Sequence, residues 1–251
     1  MFDNKWYISS IAPDAGASAR KYGLGIEIAE YCTAWTMDEK FAETDAAVRQ
    51  TVSGVEKRTL HAPFNELFPC AIDPKARLLA KERYFQALKL AEDYGADRVV
   101  IHGGYNPRMY YPIWYTEQSA VFWRDFMSEY RGNVLVCLEN VFEETPDMLI
   151  DIIKGVNDKR LGMCLDVGHV NAYSEISPLR WLEDCAKHIY HYHIHNNKGD
   201  FDSHSALGDG DIPMKELLAA AHACTPDATK ALEVLEAAPS INWLIENDII
   251  E

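Results

Sequence analysis

The sequence predicts an α/β protein whose eight strands close into a (β/α)8 barrel, and two observations support this prediction. A short apolar or β-branched run, a polar loop and a segment of helical character follow one another eight times along the 251 residues. Such alternation favours parallel βαβ units with right-handed crossovers. Residues 9–16 read SSIAPDAG, so the first strand lacks the glycine-rich turn that usually follows it in an open doubly wound sheet.

The elements follow from hydrophobic runs and from residues that start or stop helices. Proline stands at the predicted first helical position of four segments, where its missing N–H costs nothing: Pro74, Pro146, Pro178 and Pro213. The predicted strands are 6–9, 24–29, 58–61, 98–102, 134–139, 161–166, 189–195 and 230–234. The predicted helices are 14–22, 38–54, 74–94, 116–130, 146–156, 178–186, 213–223 and 239–249.

Composition indicates a globular cytoplasmic protein with one domain over residues 1–251. The chain is 48% hydrophobic and 25% charged, with no linker or low-complexity tract. It has no apolar run of the ~18 residues that a membrane span needs, and its start, MFDNKWYISS, lacks the pattern of a secretory signal. The formal net charge of −15 disfavours a non-specific polyanion binder.

Cysteine usage points to reduced core thiols rather than disulfides or a thiolate metal site. None of the six cysteines forms a C-x-x-C pair, and two lie inside apolar runs. They are Cys32, Cys70, Cys137, Cys164, Cys185 and Cys224.

Six of the eight predicted strands end in a residue that can bind a metal. In a barrel of this kind the loops that follow the strands converge on one mouth. Apolar runs lead Glu139 and Asp166 toward that mouth, and Glu233 stands at the end of the last predicted strand. Three carboxylates could not all stay ionised together there without cations, so the cluster predicts a metal site. A hydrogen-bonded polar plug is the alternative reading, and it would require a partner for every member.

The loops add further ligands to these strand ends. Imidazole and carboxylate without thiolate suit Zn²⁺, Mn²⁺ or Fe²⁺ better than Mg²⁺ or Ca²⁺. One metal takes four to six ligands, so one to three ions could be served. The nine candidates are His61, His102, Glu139, Asp166, His169, His193, Asp202, His204 and Glu233.

Several segments together resemble the xylose isomerase-like TIM barrels. This superfamily joins sugar and sugar phosphate isomerases and epimerases to the endonuclease IV branch of abasic-site nucleases (AP endonuclease family 2). The segments span residues 61–234, in the order found in the family. They are HAPF (61–64), VVIHGG (99–104), LEN (138–140), LDVGH (165–169), HIHNNKGDFDSHSALGDGDI (193–212) and LEV (232–234).

The resemblance implies two alternative activities. In the isomerase and epimerase branch, residues matching Glu139, Asp166, His193 and Glu233 hold one divalent metal, and the two glutamates exchange protons with a carbohydrate. In the endonuclease branch, residues matching all nine candidates hold three zinc ions, and this sequence keeps all nine. The full set therefore leaves both branches open.

Chemistry and charge favour the isomerase or epimerase. Two carboxylates and a metal supply the proton transfer next to a carbonyl, and His195 and Lys198 are candidate contacts for substrate hydroxyl or phosphate groups. His195 could equally be a core residue of the barrel wall, and Lys198 a solvated loop residue. A duplex binder presents Lys and Arg to several phosphates, which the acidic composition here opposes.

The aromatic segment YNPRMYYPIWY (105–115) has two further readings. Its rings could pack against a sugar or close over a small substrate. They could also form the interface of a homo-oligomer, which is the preferred reading because aromatic residues are enriched at interfaces.

Overall fold

The structure, a computed structural model, describes residues 5–250 and contains eight parallel strands that close into a barrel. The strands follow one another around the barrel in chain order, and β1 pairs with β8, so the sheet has no edge. The predicted (β/α)8 architecture is therefore confirmed. The strands are β1 Trp6–Ser9, β2 Gly25–Ile28, β3 Arg58–His61, β4 Arg98–His102, β5 Leu135–Glu139, β6 Leu161–Asp166, β7 Ile189–Ile194 and β8 Thr229–Leu232.

Helices occupy the connections between the strands. In α4 the Asp73 carboxylate accepts a hydrogen bond from the Lys75 N–H (2.8 Å), and Gly95 ends the helix in a left-handed conformation with φ 66°. The helices are α1 Ala15–Tyr22, α2 Ala34–Met37, α3 Phe41–Thr51, α4 Pro74–Tyr94, α5 Pro112–Glu129, α6 Asp147–Val156, α7 Val167–Tyr173, α8 Pro178–Cys185, α9 Met214–Cys224 and α10 Ala237–Glu246.

The structure corrects several predicted boundaries. Strand β8 stops at Leu232, so Glu233 lies one residue beyond it, and β7 stops one residue before His195. Helix α5 starts at Pro112 rather than at 116, while Pro146 and Pro213 precede their helices instead of opening them.

Two short helices, α2 and α7, had no counterpart in the prediction. Helix α7 forms directly after β6 because the Asp166 carboxylate accepts a hydrogen bond from the His169 N–H (2.6 Å) and so caps it. The same capping contact brings the His169 side chain to the mouth.

The main core lies between the outer face of the barrel and the helices. There the Trp123 ring stacks on the Tyr84 ring with centroids 5.4 Å apart, and both side chains are fully buried. A smaller cluster of Val100, Cys137 and Cys164 is separate from it.

Alternation along the strands links this small cluster to the mouth. Side chains two residues apart on a strand point to the same face. Since Val100, Cys137 and Cys164 lie inside the barrel, the residues two positions further along β4, β5 and β6 also point inward. These residues are His102, Glu139 and Asp166.

The cysteines are free thiols, and four of the six are buried as predicted. Cys224 is exposed and Cys32 half-buried, so the expectation that all six are core residues was wrong for these two. Among residues 5–250, no helix combines the length and the apolar character that a membrane crossing requires.

Candidate metal centre

The nine predicted ligands converge on the mouth of the barrel. Pairing between neighbouring strands places several of them at the same height in the barrel. His102 on β4 pairs with Glu139 on β5, and Asp166 on β6 pairs with His193 on β7. All nine then join a continuous network of imidazole–carboxylate contacts.

The centre of the network is the Nδ1 atom of His193. It lies 2.9 Å from Glu233 Oε2, 3.1 Å from Glu139 Oε1 and 3.6 Å from Asp166 Oδ2. These four residues each offer one ligand atom within 4.8 Å of the others. They form the four-residue group, the most compact set of carboxylates around one imidazole at the mouth.

Two histidines flank this group on the side of β3 and β4. His61 Nε2 lies 3.2 Å and His102 Nε2 lies 3.4 Å from Glu139 Oε2. The second oxygen of Glu139 is the one that faces His193. Glu139 therefore bridges the four-residue group and the two histidines.

Asp202 joins two further histidines on the opposite side. Its Oδ2 lies 2.9 Å from His204 Nε2 and 3.2 Å from His169 Nε2. His204 adopts a positive φ of 46°, which is uncommon for a residue with a side chain. The left-handed backbone directs its ring into the cluster.

The donor set fits a divalent cation. Glu139 and Asp166 are almost completely buried, and carboxylates at such positions need a compensating positive charge. Among the described residues, Glu233 Oε2 and Asp202 Oδ1 are buried without a hydrogen-bonding partner. Oxygen atoms left in this way are available to a cation.

The cluster opens toward solvent on one side. The partly exposed side chains there are Glu233 (10%), His102 (18%), Asp202 (18%) and His204 (23%). Glu139, Asp166 and His193 lie deeper. A small molecule would therefore approach along the exposed side and reach Glu233 before Glu139.

The charges of the cluster stabilise one another. Burial by itself raises the pKa of Glu139, but the charges of His193 and His102 hold it well below its usual range. Asp166 behaves alike, with His169 and His195 lowering its pKa against burial.

The pKa of His204 moves in the opposite direction. Burial lowers it, whereas the hydrogen bond with Asp202 and the charge of Glu233 raise the pKa to about 9.

The metal-free protein should therefore lose stability as the pH rises from about 6.5 toward 9. The unfolded pKa of His204 is 6.5 and the folded value about 9, so the stabilisation is complete below the first value and is lost through the second. Thermal unfolding of the EDTA-treated chain, followed by circular dichroism, should show the midpoint falling by about 2–4 °C per kcal/mol lost. The His204→Asn variant should show a smaller fall, and an equal fall in both proteins would contradict the assignment.

Of the two predicted substrate contacts, His195 is buried and Lys198 is exposed. His195 is fully buried, and its Nε2 lies 3.1 Å from Asp166 Oδ1. Its ring lies so close to Gly168 that a Cβ there would be 1.9 Å from His195 Cε1. Lys198 is exposed on the loop after β7 and forms no ion pair with any described residue.

Two buried polar residues beneath the mouth, Glu27 and His191, were missed. Glu27 on β2 is fully buried, with Oε1 3.0 Å from His193 Nε2 and Oε2 3.0 Å from His191 Nε2. Its position could have signalled its role, since a glutamate between Ile26 and Ile28 in a strand of alternating faces must point into the barrel.

A groove lined by aromatic rings adjoins the site. The rings of Phe142 and Tyr173 lie 4.9 Å apart, and the Tyr173 ring is 6.1 Å from that of His169. The groove has a volume of about 610 Å³, and Arg108 and Glu144 line it together with the two rings.

The segment 105–115 is only partly available for binding. Tyr105, Tyr110 and Tyr115 are buried, whereas Met109 and Tyr111 are exposed. The buried rings hold the loop against the core, so the predicted oligomer interface would have to use the exposed part.

Comparison with curated proteins gives a nuclease relative. A probable endonuclease 4 from Ureaplasma parvum is 26% identical over 199 residues, which cover 71% of this chain and 65% of that protein. The chain spans 58–65% of the length of the curated relatives that it matches.

Solved structures give sugar-epimerase and zinc-soaked neighbours. A D-tagatose 3-epimerase-like protein has a TM-score of 0.79 at 24% identity, covering 98% of this chain and 97% of that one. A protein from Thermus thermophilus, soaked with ZnCl₂, has a TM-score of 0.73 at 24% identity, with 97% of both chains covered. At this level of identity the likeness establishes the fold.

The family model described as xylose isomerase-like TIM barrel matches residues 18–245. This match covers all the predicted ligands and most of the barrel, in agreement with the resemblance seen in the sequence. The chain belongs to the xylose isomerase-like TIM barrel family.

Proposed function

We propose that the chain is a metal-dependent isomerase or epimerase of a small sugar or sugar phosphate, in which Glu139 and Glu233 move a proton at carbon. The observation that carries the proposal is the four-residue group. Both glutamates, from β5 and from the residue after β8, approach the same Nδ1 atom of His193 within 3.1 Å. Two carboxylates beside a shared cation site are what a proton transfer next to a carbonyl requires.

The four-residue group would hold the cation, Zn²⁺ or Mn²⁺ being suited to its ligands. A divalent cation bound there would polarise the carbonyl and a neighbouring hydroxyl of the sugar, which makes the adjacent C–H more acidic. Glu233 Oε2, which lacks a hydrogen bond, and the buried carboxylates supply the negative charge that such a cation needs.

The two glutamates divide the proton transfer between them. One carboxylate accepts the proton from the carbon next to the carbonyl, and the electron pair moves to the carbonyl oxygen to give an enediolate. The other returns a proton to the opposite face of that carbon in an epimerisation. In an isomerisation the proton returns to the former carbonyl carbon, and the hydroxyl proton of the first carbon passes to the former carbonyl oxygen. Glu233 is the more exposed of the pair and would contact the substrate at the open side.

The surroundings of the mouth suit a sugar better than a duplex. Phe142 and Tyr173 offer partly exposed ring faces, on which the C–H face of a sugar packs well. Arg108 and Lys198 are the cations among the described residues of the loops that follow the strands. Exposed acidic residues outnumber them there, and they include Glu66, Asp73, Glu144, Asp200, Asp209, Asp211 and Glu236. A phosphate backbone would meet net repulsion on these loops.

Solvent-exchange measurements test the proposal directly. The chain loaded with Mn²⁺ or Zn²⁺ should incorporate deuterium from D₂O at carbon in at least one member of a panel of ketopentoses, ketohexoses and their phosphates. Mass spectrometry and NMR would locate the label, and the EDTA-treated chain is the control. No carbon-bound deuterium in any sugar, with metal demonstrably bound, would contradict the proposal.

An endonuclease IV-like zinc phosphodiesterase is the second candidate, favoured by the five further ligands that adjoin the four-residue group. They are His61, His102, His169, Asp202 and His204. The relative named a probable endonuclease 4 supports the same reading. Cleavage of an abasic-site duplex by the zinc-loaded chain, lost in Glu233→Gln, would replace the isomerase with this function.

A further inference from the structure

The Glu27 carboxylate lies beneath the four-residue group, on the side of His193 that faces away from the mouth. Its Oε1 atom is 3.0 Å from His193 Nε2, while His193 Nδ1 faces Glu139 and Glu233. The imidazole thus stands between a carboxylate below and a set of carboxylates above. Glu27 is fully buried and its second oxygen is directed away from the mouth, so it is not itself placed to bind a cation with the others.

An imidazole that binds a cation through Nδ1 must carry its proton on Nε2. The proton then needs an acceptor, and the acceptor fixes both the tautomer and the orientation of the ring. His193 Nε2 and Glu27 Oε1 lie 3.0 Å apart, and among the described residues neither atom has a hydrogen-bonding partner. Each atom therefore offers the other the partner that burial demands.

Glu27 is in turn held by its own contacts. The Thr59 hydroxyl donates to Glu27 Oε2 (3.2 Å), and the same oxygen lies 3.0 Å from His191 Nε2. His191 Nδ1 contacts the Thr229 hydroxyl at 2.5 Å. The carboxylate is thereby fixed by residues on three other strands, β3, β7 and β8, and it cannot follow a rotation of the His193 ring.

We propose that Glu27 is a positioning residue that holds the His193 ring with Nδ1 toward the mouth and so sets the metal affinity of the four-residue group. This inference rests on the proposed metal-dependent function. It assigns to β2 a role in the site although that strand supplies none of the nine predicted ligands.

Glu27→Gln tests the inference, with Glu143→Gln as the matched control. The Glu27→Gln side chain keeps its shape, but it can accept a hydrogen bond from only one of the two imidazoles. Glu143 is a buried glutamate outside the set of predicted ligands. It contacts the Tyr115 hydroxyl and the Val141 N–H instead of a predicted ligand, so its substitution measures the effect of removing a buried carboxylate.

Zinc affinity, measured by competition with a chromophoric chelator, should fall about 10–100-fold in Glu27→Gln and stay within about threefold of wild type in Glu143→Gln. In long-range ¹H–¹⁵N spectra of the zinc-loaded, histidine-labelled wild-type chain, His193 should be protonated at Nε2. In Glu27→Gln its signals should broaden or change tautomer. Thr59→Val removes the hydroxyl that donates to Glu27 and should weaken zinc binding by a smaller factor. If Glu27→Gln does not fold, the zinc affinity of Thr59→Val tests the inference in its place.

The outcomes separate this inference from the proposed function. A wild-type chain that binds no divalent metal at the four-residue group overturns both. Tight zinc binding by the wild type, with unchanged affinity and His193 spectra in Glu27→Gln, overturns the role of Glu27 alone. Equal weakening in Glu27→Gln and Glu143→Gln would also overturn it, because the effect would then reflect the loss of any buried carboxylate. If Thr59→Val must decide, wild-type affinity in that variant overturns it.

Discussion

Replacing Glu233 with glutamine is expected to lower kcat for the sugar reaction by about 10²–10⁴-fold, the usual contribution of a positioned general acid or base. The amide retains the size of the side chain and one oxygen atom, but it can no longer accept or return a proton. Because Glu233 lies at the open side of the cluster and its Oε2 makes no hydrogen bond, its loss should leave the buried carboxylates in place. We therefore expect the effect to fall mainly on kcat rather than on KM.

A matched control lies three residues further along the same loop. Glu236 is exposed, and Glu236→Gln removes the same charge from the same segment without touching the cluster. Its kcat should remain within about twofold of wild type. A Glu233→Gln variant that keeps wild-type kcat while binding the same amount of metal would contradict the role of Glu233 in proton transfer.

Replacing His193 with alanine is expected to cost about 3–5 kcal/mol of unfolding free energy, the range seen when one partner of a buried ion pair is removed. Glu27, Glu139, Asp166 and Glu233 all face this one imidazole. Without this imidazole, the four carboxylates repel one another at the centre of the barrel. No positive charge then remains between them. The variant should also lose measurable binding of zinc.

Urea unfolding at pH 7, in the presence of EDTA, measures this cost without any contribution from metal. His222→Ala is the matched control, since His222 is exposed on α9 and remote from the mouth. The control should stay within about 0.5 kcal/mol of wild type. A loss below about 1 kcal/mol in His193→Ala would mean that the imidazole does not organise the cluster.

The sequence predicted the strands well because the barrel imposes a strict pattern on them. Apolar runs such as VLVCL and LGMCL end in a carboxylate, and parallel strands bring all such ends to one mouth. Convergence of nine separated residues could therefore be expected from the sequence. What the pattern could not give is which atom faces which, because this depends on rotamers and loop conformations such as the left-handed backbone of His204.

The features that the sequence analysis missed also have physical explanations. Helix α7 was missed because its second residue is Gly168, and glycine has a low helix propensity. The Asp166 cap and the packing of the His195 ring against Gly168 stabilise the helix, and neither contact can be inferred from local propensity. Glu27 was overlooked because polar residues of the site were expected at strand ends, whereas Glu27 lies within β2. The exposed position of Lys198 agrees with the alternative reading of it as a solvated loop residue.

The proposed function requires that four residues hold one cation beside two proton-transferring glutamates. Anomalous diffraction from crystals of the metal-loaded chain, combined with elemental analysis, tests it most directly. We expect one Mn²⁺ or Zn²⁺ per chain, in contact with Glu139, Asp166, His193 and Glu233. Close to three zinc ions per chain, with His61, His102, His169, Asp202 and His204 also bound to metal, would contradict it and favour the phosphodiesterase.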